Sequence, residues 1–337
     1  MEVFKLLNAY DSHALHYVYD RASHLRAIVA IDTVVAGRAV GGIRLRDYDS
    51  EEDAVDEACR LARAMSFKAA LADLPCGGAK TVIYAHPHMQ RAAAYRALGE
   101  AIDKLRGLYH SGADVGTTSA DLEQVAMTTS HVSDQLDFGK HTAAGVLASI
   151  QATVKHVEKR DSIEGMKVVV QGLGEVGMEL AMLLDRAGAK LVVSDPVADR
   201  CEQAKRLFKA DIVDPQHALM EPCDVLAPCA LGRILTSRDV PTYGARMIVG
   251  SANDLLEGAA VAHELKLAGI TYIPDFLSSA GALIVGVTEL AEGRTPSEEE
   301  LMSRIAKTTA EVLGAAQALG ITPLQAAESL AAERLDR

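Results

Sequence analysis

Two lysines twelve positions apart, Lys68 and Lys80, and a later aspartate, Asp114, are the residues whose settings ask for chemistry. Lys68 closes a stretch in which Val55, Ala58, Leu61, Ala62 and Met65 recur at helical spacing, so it lies on the side of the buried stripe. Lys80 follows the Gly77-Gly78 pair, read as a turn, at the mouth of the apolar run from Thr81 to Ala85. Each lysine alone has an ordinary reading, a long stem lying along apolar surface with its ammonium in water. Together they place two cations in apolar surroundings, where burial and like charge both favour the neutral amine. One of the pair would then hold a carboxylate and the other would move protons. Asp114 precedes the small, polar run Val115-Gly116-Thr117-Thr118, and reads either as a helix N-cap or as a carboxylate that exchanges a proton with an amine.

A second constellation lies downstream. Gly172-Leu173-Gly174-Glu175-Val176-Gly177 matches G-x-G-x-x-G, follows the strand-like MKVVVQ and opens a helical stretch. Gly172 serves the tight turn, Gly174 the close approach of a pyrophosphate, and Gly177 the packing of helix on strand. With Glu175 and Val176 they would present helix N-terminal amides to phosphates. Asp195, at the end of the next apolar run, would accept hydrogen bonds from ribose hydroxyls and repel a 2′-phosphate, which favours NAD over NADP. Two lysines and an aspartate beside a nicotinamide suit the oxidation of an α-amino acid.

The elements that must position these groups follow from periodicity. Residues 27–35 read as a strand, Ser50 and Asp53 as the start of a helix, and 90–106 as an amphipathic helix. Residues 121–158 are helical in pattern, interrupted near Asp137-Phe138-Gly139. From Met166 the period changes to strand, glycine turn, helix ended by Gly188, and strand, one βαβ unit. DVLAPCALG, ARMIVGSAND and GITYIPDFLSSAGAL continue the alternation, which predicts a doubly wound parallel sheet with ligands at the strand C-termini. Thr295-Pro296-Ser297-Glu298 reads as a capping box, Gly320 as a helix stop, and Thr322-Pro323-Leu324-Gln325 as the last helix start.

Composition narrows the classes. The 337 residues are 49% hydrophobic, and 34 Lys and Arg against 46 Asp and Glu leave a formal net charge of −12. That balance, without a basic block, argues against nucleic acid or an anionic membrane as partner. Apolar stretches such as 280–287 fall short of the ~20 residues of a membrane helix. Nothing in MEVFKLLNAYDSH reads as a signal peptide. Five cysteines without metal spacing read as reduced thiols, so no metal site is expected and a cytoplasmic location is.

GGIRLRDYDSEEDAVDEACRLARAMSFKAALADLPCGGAK, then ADVGTT, GLGEVG, DVLAPCALG, GSAND and PDFLSSAG, resemble the glutamate/leucine/phenylalanine/valine dehydrogenases over nearly the whole chain. The shorter leucine- and phenylalanine-type members are the closest in pattern. The resemblance implies an N-terminal α/β substrate and oligomerisation domain (1–141 with about 315–337) and a Rossmann NAD-binding domain (142–314). Catalysis would occur in the cleft between them, in a homo-oligomer. It implies that Lys68 and the Gly41-Gly42 backbone bind the substrate carboxylate, that Lys80 polarises a catalytic water, and that Asp114 shuttles a proton to and from the amine. Asn253 would bond the substrate and cofactor, Thr142 the nicotinamide amide, and Cys229 and Ala230 would lie along the dinucleotide. Met65 and Val40 would line the substrate pocket, although a core role suits Met65 equally well. Gly112 and Leu283 stand where leucine-type members carry alanine and valine, and Gly286 would enlarge the pocket further.

The expected activity is therefore reversible NAD-dependent oxidative deamination of an apolar L-amino acid, phenylalanine-like or branched-chain. Three alternatives stand beside it: a non-catalytic NAD-binding relative, a dehydrogenase for a non-standard amino substrate, and a lysine Schiff-base lyase. The chain also departs from the family pattern. The segment 132–141 is short, Ser279-Ala280-Gly281-Ala282 replaces N-A-G-G, and Asp254 replaces a common asparagine.

Overall fold

A computed structural model describes residues 3–134, 137–230 and 232–336. The chain divides into two compact units, Met1–Leu136 with Ala331–Arg337, and Asp137–Leu330.

The first unit opens with α1 (Val3–Tyr10), β1 (Ala14–Asp20), β2 (Leu25–Ile31) and β3 (Ala39–Arg46). It continues with α2 (Glu51–Leu71), β4 (Gly77–Tyr84), α3 (Arg91–Asp103), β5 (Tyr109–Ala113) and α4 (Ser119–Ala126). The strands form one sheet in the order β1-β2-β4-β3-β5, antiparallel through β4 and parallel from β4 to β5. Alternation along each strand sorts its side chains. Val29, Ile31, Ile43, Ile83 and Tyr109 pack against α3 and α4, while Ile28, Ala30 and Val82 pack against α2. Lys80, Arg44 and Asp114 share the parity of the second set, so they occupy the α2 face.

The second unit begins with α5 (Phe138–Glu158), β6 (Lys167–Gln171), α6 (Glu175–Arg186), β7 (Lys190–Ser194), α7 (Ala198–Phe208) and β8 (Asp211–Ile212). After it come β9 (Cys223–Pro228), β10 (Ala245–Ile248), α8 (Ala259–Leu267), β11 (Thr271–Tyr272), α9 (Asp275–Ser278), α10 (Gly281–Glu292), α11 (Glu298–Leu319) and α12 (Pro323–Leu335). Its strands are all parallel, in the order β11-β10-β9-β6-β7-β8. Counted from β6 this is the 3-2-1-4-5-6 arrangement of the doubly wound dinucleotide fold, with the order reversing between β6 and β9. The expected α/β fold class is the one observed.

Several local expectations need correction. Gly77 and Gly78 are not a turn but the first residues of β4, because neighbouring backbone presses on both. A Cβ on Gly77 would meet the Thr33 oxygen at 1.8 Å, and one on Gly78 the Ser66 nitrogen of α2 at 2.1 Å. Lys80 therefore sits inside a central strand rather than at its mouth. The strand expected over 27–35 ends at Ile31, where the Asp32 carboxylate instead accepts the Ser66 hydroxyl at 2.5 Å. The break expected near 137–139 falls between Ala126, where α4 ends, and Phe138, where α5 starts; Gln135 and Leu136 of the short 132–141 segment lie outside the described residues. Ser297 rather than Thr295 caps α11, accepting the Glu300 amide. The C-terminal return to the first unit starts at 331 rather than near 315, because α11 packs on α5 within the second unit. Arg334 then donates to the Ala70 and Leu71 carbonyls at the end of α2. Among the described residues no helix is long and apolar enough to cross a membrane.

Candidate active site

On the α2 face of the first sheet, Lys80 Nζ lies 2.8 Å from Asp114 Oδ2. Lys80 is 4% exposed, and the Asp114 side chain is buried with it. Strand order brings them together: β4 carries Lys80, β3 lies between, and Asp114 follows the last residue of β5. Asp114 is not an N-cap. Thr118 has that role, accepting the Asp121 amide in a reciprocal capping box at the start of α4. Gly116, at φ +81°, makes the turn between them.

The strand between lysine and aspartate supplies two features. At Gly41 and Gly42 the β3–β4 register passes from Val40–Gly78 to Ile43–Thr81, skipping both glycines. The backbones are nonetheless close, since a Cβ on Gly41 would fall 1.6 Å from the Ala79 oxygen. Two residues on, Arg44 donates from Nε to Asp114 Oδ2 at 2.7 Å and from Nη1 to Glu57 Oε1 of α2 at 2.8 Å. Reading the sequence by type missed Arg44 and Glu57. The available signal was an arginine between Ile43 and Leu45, whose parity puts it beside Gly42 and hence among buried groups that it must pair with.

The electrostatics follow from burial and these pairs. Burial drives the Lys80 ammonium toward its neutral form and Arg44 adds repulsion, while Asp114 opposes both; its pKa falls below the ordinary lysine value. For Asp114 burial acts upward, but the Lys80 and Arg44 charges win and hold the carboxyl well below the usual carboxylate range.

The other expected residues fall on the same face or nearby. Lys68 is 8% exposed in the last turn of α2. Met65 is half-buried on α2, one position before Ser66, whose hydroxyl accepts the Gly78 amide and so ties helix to strand. Val40, Gly42 and their β5 partners His110 and Gly112 form adjacent rows of the sheet.

In the second unit Gly172 follows β6 at φ +94°, and a Cβ there would meet Ala230 at 2.6 Å, just past the end of β9. Gly177 lies under this turn, where a Cβ would strike the Gly172 oxygen at 1.8 Å. Gly174 differs: among the described residues nothing lies within 4 Å of a Cβ placed on it, and no side chain caps the amides of α6, which open with Glu175 and Val176. A close, open approach to uncapped amides fits a pyrophosphate. Cys229 is tied to Gln171 of β6 by its amide. Asp195 is turned inward, Oδ2 accepting the Leu173 amide at 2.7 Å and Oδ1 the Val197 amide at 2.8 Å, with Arg200 at 3.5 Å. Thr142 lies one turn inside α5, against Gly281 at the start of α10, the helix of Leu283 and Gly286. Asn253 follows β10, close to Gly232. Ser279 is buried and bonds the Asp275 carbonyl.

The family model described as "Glu/Leu/Phe/Val dehydrogenase, dimerisation domain" matches residues 14–131, and that described as "Glutamate/Leucine/Phenylalanine/Valine dehydrogenase" matches 136–198 and 193–337. The chain belongs to the Glu/Leu/Phe/Val dehydrogenase family. It is 36% identical to leucine dehydrogenase of Bacillus cereus, over 99% of this chain and 94% of the relative. It is 31% identical to phenylalanine dehydrogenase of Thermoactinomyces intermedius, over 100% and 94%. The crystal structure of L-tryptophan dehydrogenase from Nostoc punctiforme superposes with a TM-score of 0.84 at 34% identity, covering 99% of this chain and 98% of that one. As an amino acid dehydrogenase the chain is an enzyme, and a lysine Schiff-base lyase is set aside.

For an amino acid dehydrogenase the lysine–aspartate contact has a plain chemical use. A buried amine can accept a proton from water and a carboxylate can accept one from an ammonium, and this contact places one of each together. Among the described residues no group of three or more His, Cys, Asp or Glu is arranged to hold a metal ion.

Proposed function

We propose that this dehydrogenase catalyses the reversible, NAD-dependent oxidative deamination of an apolar L-amino acid, with phenylalanine-like or branched-chain side chains. The amino acid, NAD and water give the 2-oxo acid, ammonium, NADH and a proton. The observation that carries this reading is the buried Lys80–Asp114 contact at 2.8 Å, beside the skipped register at Gly41 and Gly42. Lys68 and the glycine backbone hold the substrate carboxylate. Asp114 takes a proton from the substrate ammonium, so that the amine lone pair can form the iminium. When bound, the dinucleotide supplies the oxidant, its nicotinamide accepting the hydride from Cα. Lys80 then draws a proton from the water that adds to the iminium carbon, and Asp114 returns one to the departing nitrogen.

The turn from Gly172 to Gly177 holds the phosphates, with Cys229 and Ala230 alongside, and Thr142 and Asn253 hold the nicotinamide end. Asp195 favours NAD, since a 2′-phosphate would meet its charge; the nearby Arg200 moderates that preference. Glycine at 112 and 286 and leucine at 283 support a large apolar side chain, as do relatives named for tryptophan and phenylalanine. The substrate pocket is completed by Val40 and Met65. A homo-oligomer is supported by the dimerisation domain that residues 14–131 match. The acidic charge balance and reduced thiols support a cytoplasmic enzyme that meets neither nucleic acid nor membrane.

NADH formation from NAD at alkaline pH, measured across the common L-amino acids, tests this. A rate with phenylalanine or tryptophan is the expected result, and a preference for valine or leucine would discard the pocket reading. Turnover confined to non-standard amines would overturn the substrate class and turn attention to Ser279.

A further inference from the structure

We propose that Arg44, braced by Glu57, is a positioning residue that fixes one oxygen of Asp114 and leaves the other to exchange the substrate proton. The inference rests on the reading of Lys80 and Asp114 as the pair that handles protons.

The geometry is asymmetric. Asp114 Oδ2 receives both Lys80 Nζ, at 2.8 Å, and Arg44 Nε, at 2.7 Å. Among the described residues Oδ1 has only a long approach from Arg44 Nη2, at 3.5 Å. A carboxylate whose one oxygen is saturated by two cations presents the other to a new partner. Arg44 is held from behind by Glu57, through Nη1 to Oε1 at 2.8 Å. Arg46 and Arg60 approach the same Glu57 oxygen at 3.5 and 3.6 Å, from β3 and α2. Tyr48 is kept protonated by burial and by the neighbouring Glu57, and Tyr109, on the other face of the sheet, by burial and by the charge of Asp114. Glu57, Arg44, Asp114 and Lys80 thus make a buried row of alternating charge, drawn from α2, β3, the end of β5, and β4.

Stability does not require such a row. Buried ion pairs exchanged for apolar groups of similar volume often leave a fold unharmed. A catalytic reason is at hand: Arg44 acts on both reacting groups at once. Its charge stabilises the Asp114 carboxylate and disfavours the Lys80 ammonium, whereas Glu57 favours that ammonium. Removing Arg44 makes both groups harder to deprotonate, and removing the Glu57 charge makes Lys80 easier. The direction is the same whichever of the two groups a pH profile reports.

The test uses the full-length enzyme and Arg44→Met, Arg44→Lys and Glu57→Gln. The pH profile of kcat/KM for deamination is recorded for each, and NADH fluorescence titration checks that the cofactor still binds. The rising limb should move to higher pH in Arg44→Met, by about 1–3 pH units. It should return part-way in Arg44→Lys and move to lower pH in Glu57→Gln. Loss of activity equal at every pH, or movement of both charge-removing variants in one direction, would overturn the proposal. Should Arg44→Met fail to fold, the lysine and glutamine variants still decide it. The rate at which acetic anhydride labels Lys80, followed by mass spectrometry against pH, must shift with the same opposite signs. That readout needs no turnover. A wild-type chain that binds NADH but deaminates nothing sinks the proposed function, whereas unshifted labelling sinks the inference alone.

Discussion

Gly42 and Asp114 stand so close that a methyl group on the glycine would lie 2.4 Å from the Ala113 carbonyl oxygen and 3.0 Å from Asp114 Cβ. The contact is with backbone of the neighbouring strand, which cannot rotate away, and it lies at the residue whose carboxylate meets Lys80. Gly42→Ala should therefore displace Asp114 as well as strain the sheet. Overpacking of this kind costs about 1–3 kcal/mol, and kcat/KM should fall by at least a hundredfold, because small displacements of a reacting group are expensive. Gly314→Ala in α11 is the control, since among the described residues nothing lies within 4 Å of its added methyl and helix propensity should raise stability slightly. Thermal unfolding and deamination rates for the pair check the argument. A Gly42 variant with normal activity would show that Asp114 tolerates the shift.

Lys80→Ala removes the amine but leaves Asp114 paired with Arg44. No lone buried charge results, so the fold should survive. Turnover should fall by about a hundred- to ten-thousand-fold, the range of a lost general acid–base group. NADH binding, measured by fluorescence, should be unchanged, because the Gly172–Gly177 turn belongs to the other unit. Equal loss of turnover and of NADH binding would contradict the assigned role.

The contrast between these two sites shows what a sequence makes legible. The glycine turn between strand and helix could be read in advance because its parts are local: three glycines, a preceding strand and Asp195 sit within one βαβ unit. Lys80 and Asp114 could be singled out by type and setting, but their partners could not. Arg44 and Glu57 reach them only through the strand order β4-β3-β5 and the seating of α2, which are long-range facts. Glycine was ambiguous for a related reason. Gly77 and Gly78 look the same in sequence whether a turn needs positive φ or a strand is pressed by Thr33 and Ser66. Asp195 shows the remaining limit, since its position was readable while the claim of the Leu173 and Val197 amides on its oxygens was not.

His110 makes stability depend on pH. Burial, then the nearby His131 and Arg38 charges, push its imidazole down to about 4 from an ordinary 6.5. Between those values the unfolded chain takes a proton that the folded chain refuses. Stability is therefore present above 6.5, declines as pH falls toward 4, and is level below. The loss from this group is at most about 3 kcal/mol. His110→Gln keeps a partner for the Ser133 hydroxyl, which lies 3.1 Å from Nε2. Urea unfolding midpoints at neutral pH and near pH 4.5 should differ less in the variant than in the wild type. An equal decline in both would place the titrating group elsewhere.

Substitutions at Gly174 and Gly177 should separate cofactor binding from folding within one turn. A methyl on Gly177 would strike the Gly172 oxygen at 1.8 Å, so Gly177→Ala must open the packing of α6 on β6 and lower Tm. Gly174 has an extended backbone (φ −70°, ψ −162°) that alanine adopts without strain, and its methyl would meet no atom of the described residues within 4 Å. Gly174→Ala should leave Tm of the cofactor-free enzyme unchanged, while its methyl occupies the approach to the α6 amides and weakens NADH binding by tenfold or more. The added stability that NADH gives the wild type, which follows RT ln(1 + [L]/Kd), should shrink accordingly in thermal shift. Unchanged NADH binding by Gly174→Ala would mean that the pyrophosphate does not rest on this turn, and would remove the dinucleotide from the proposed site.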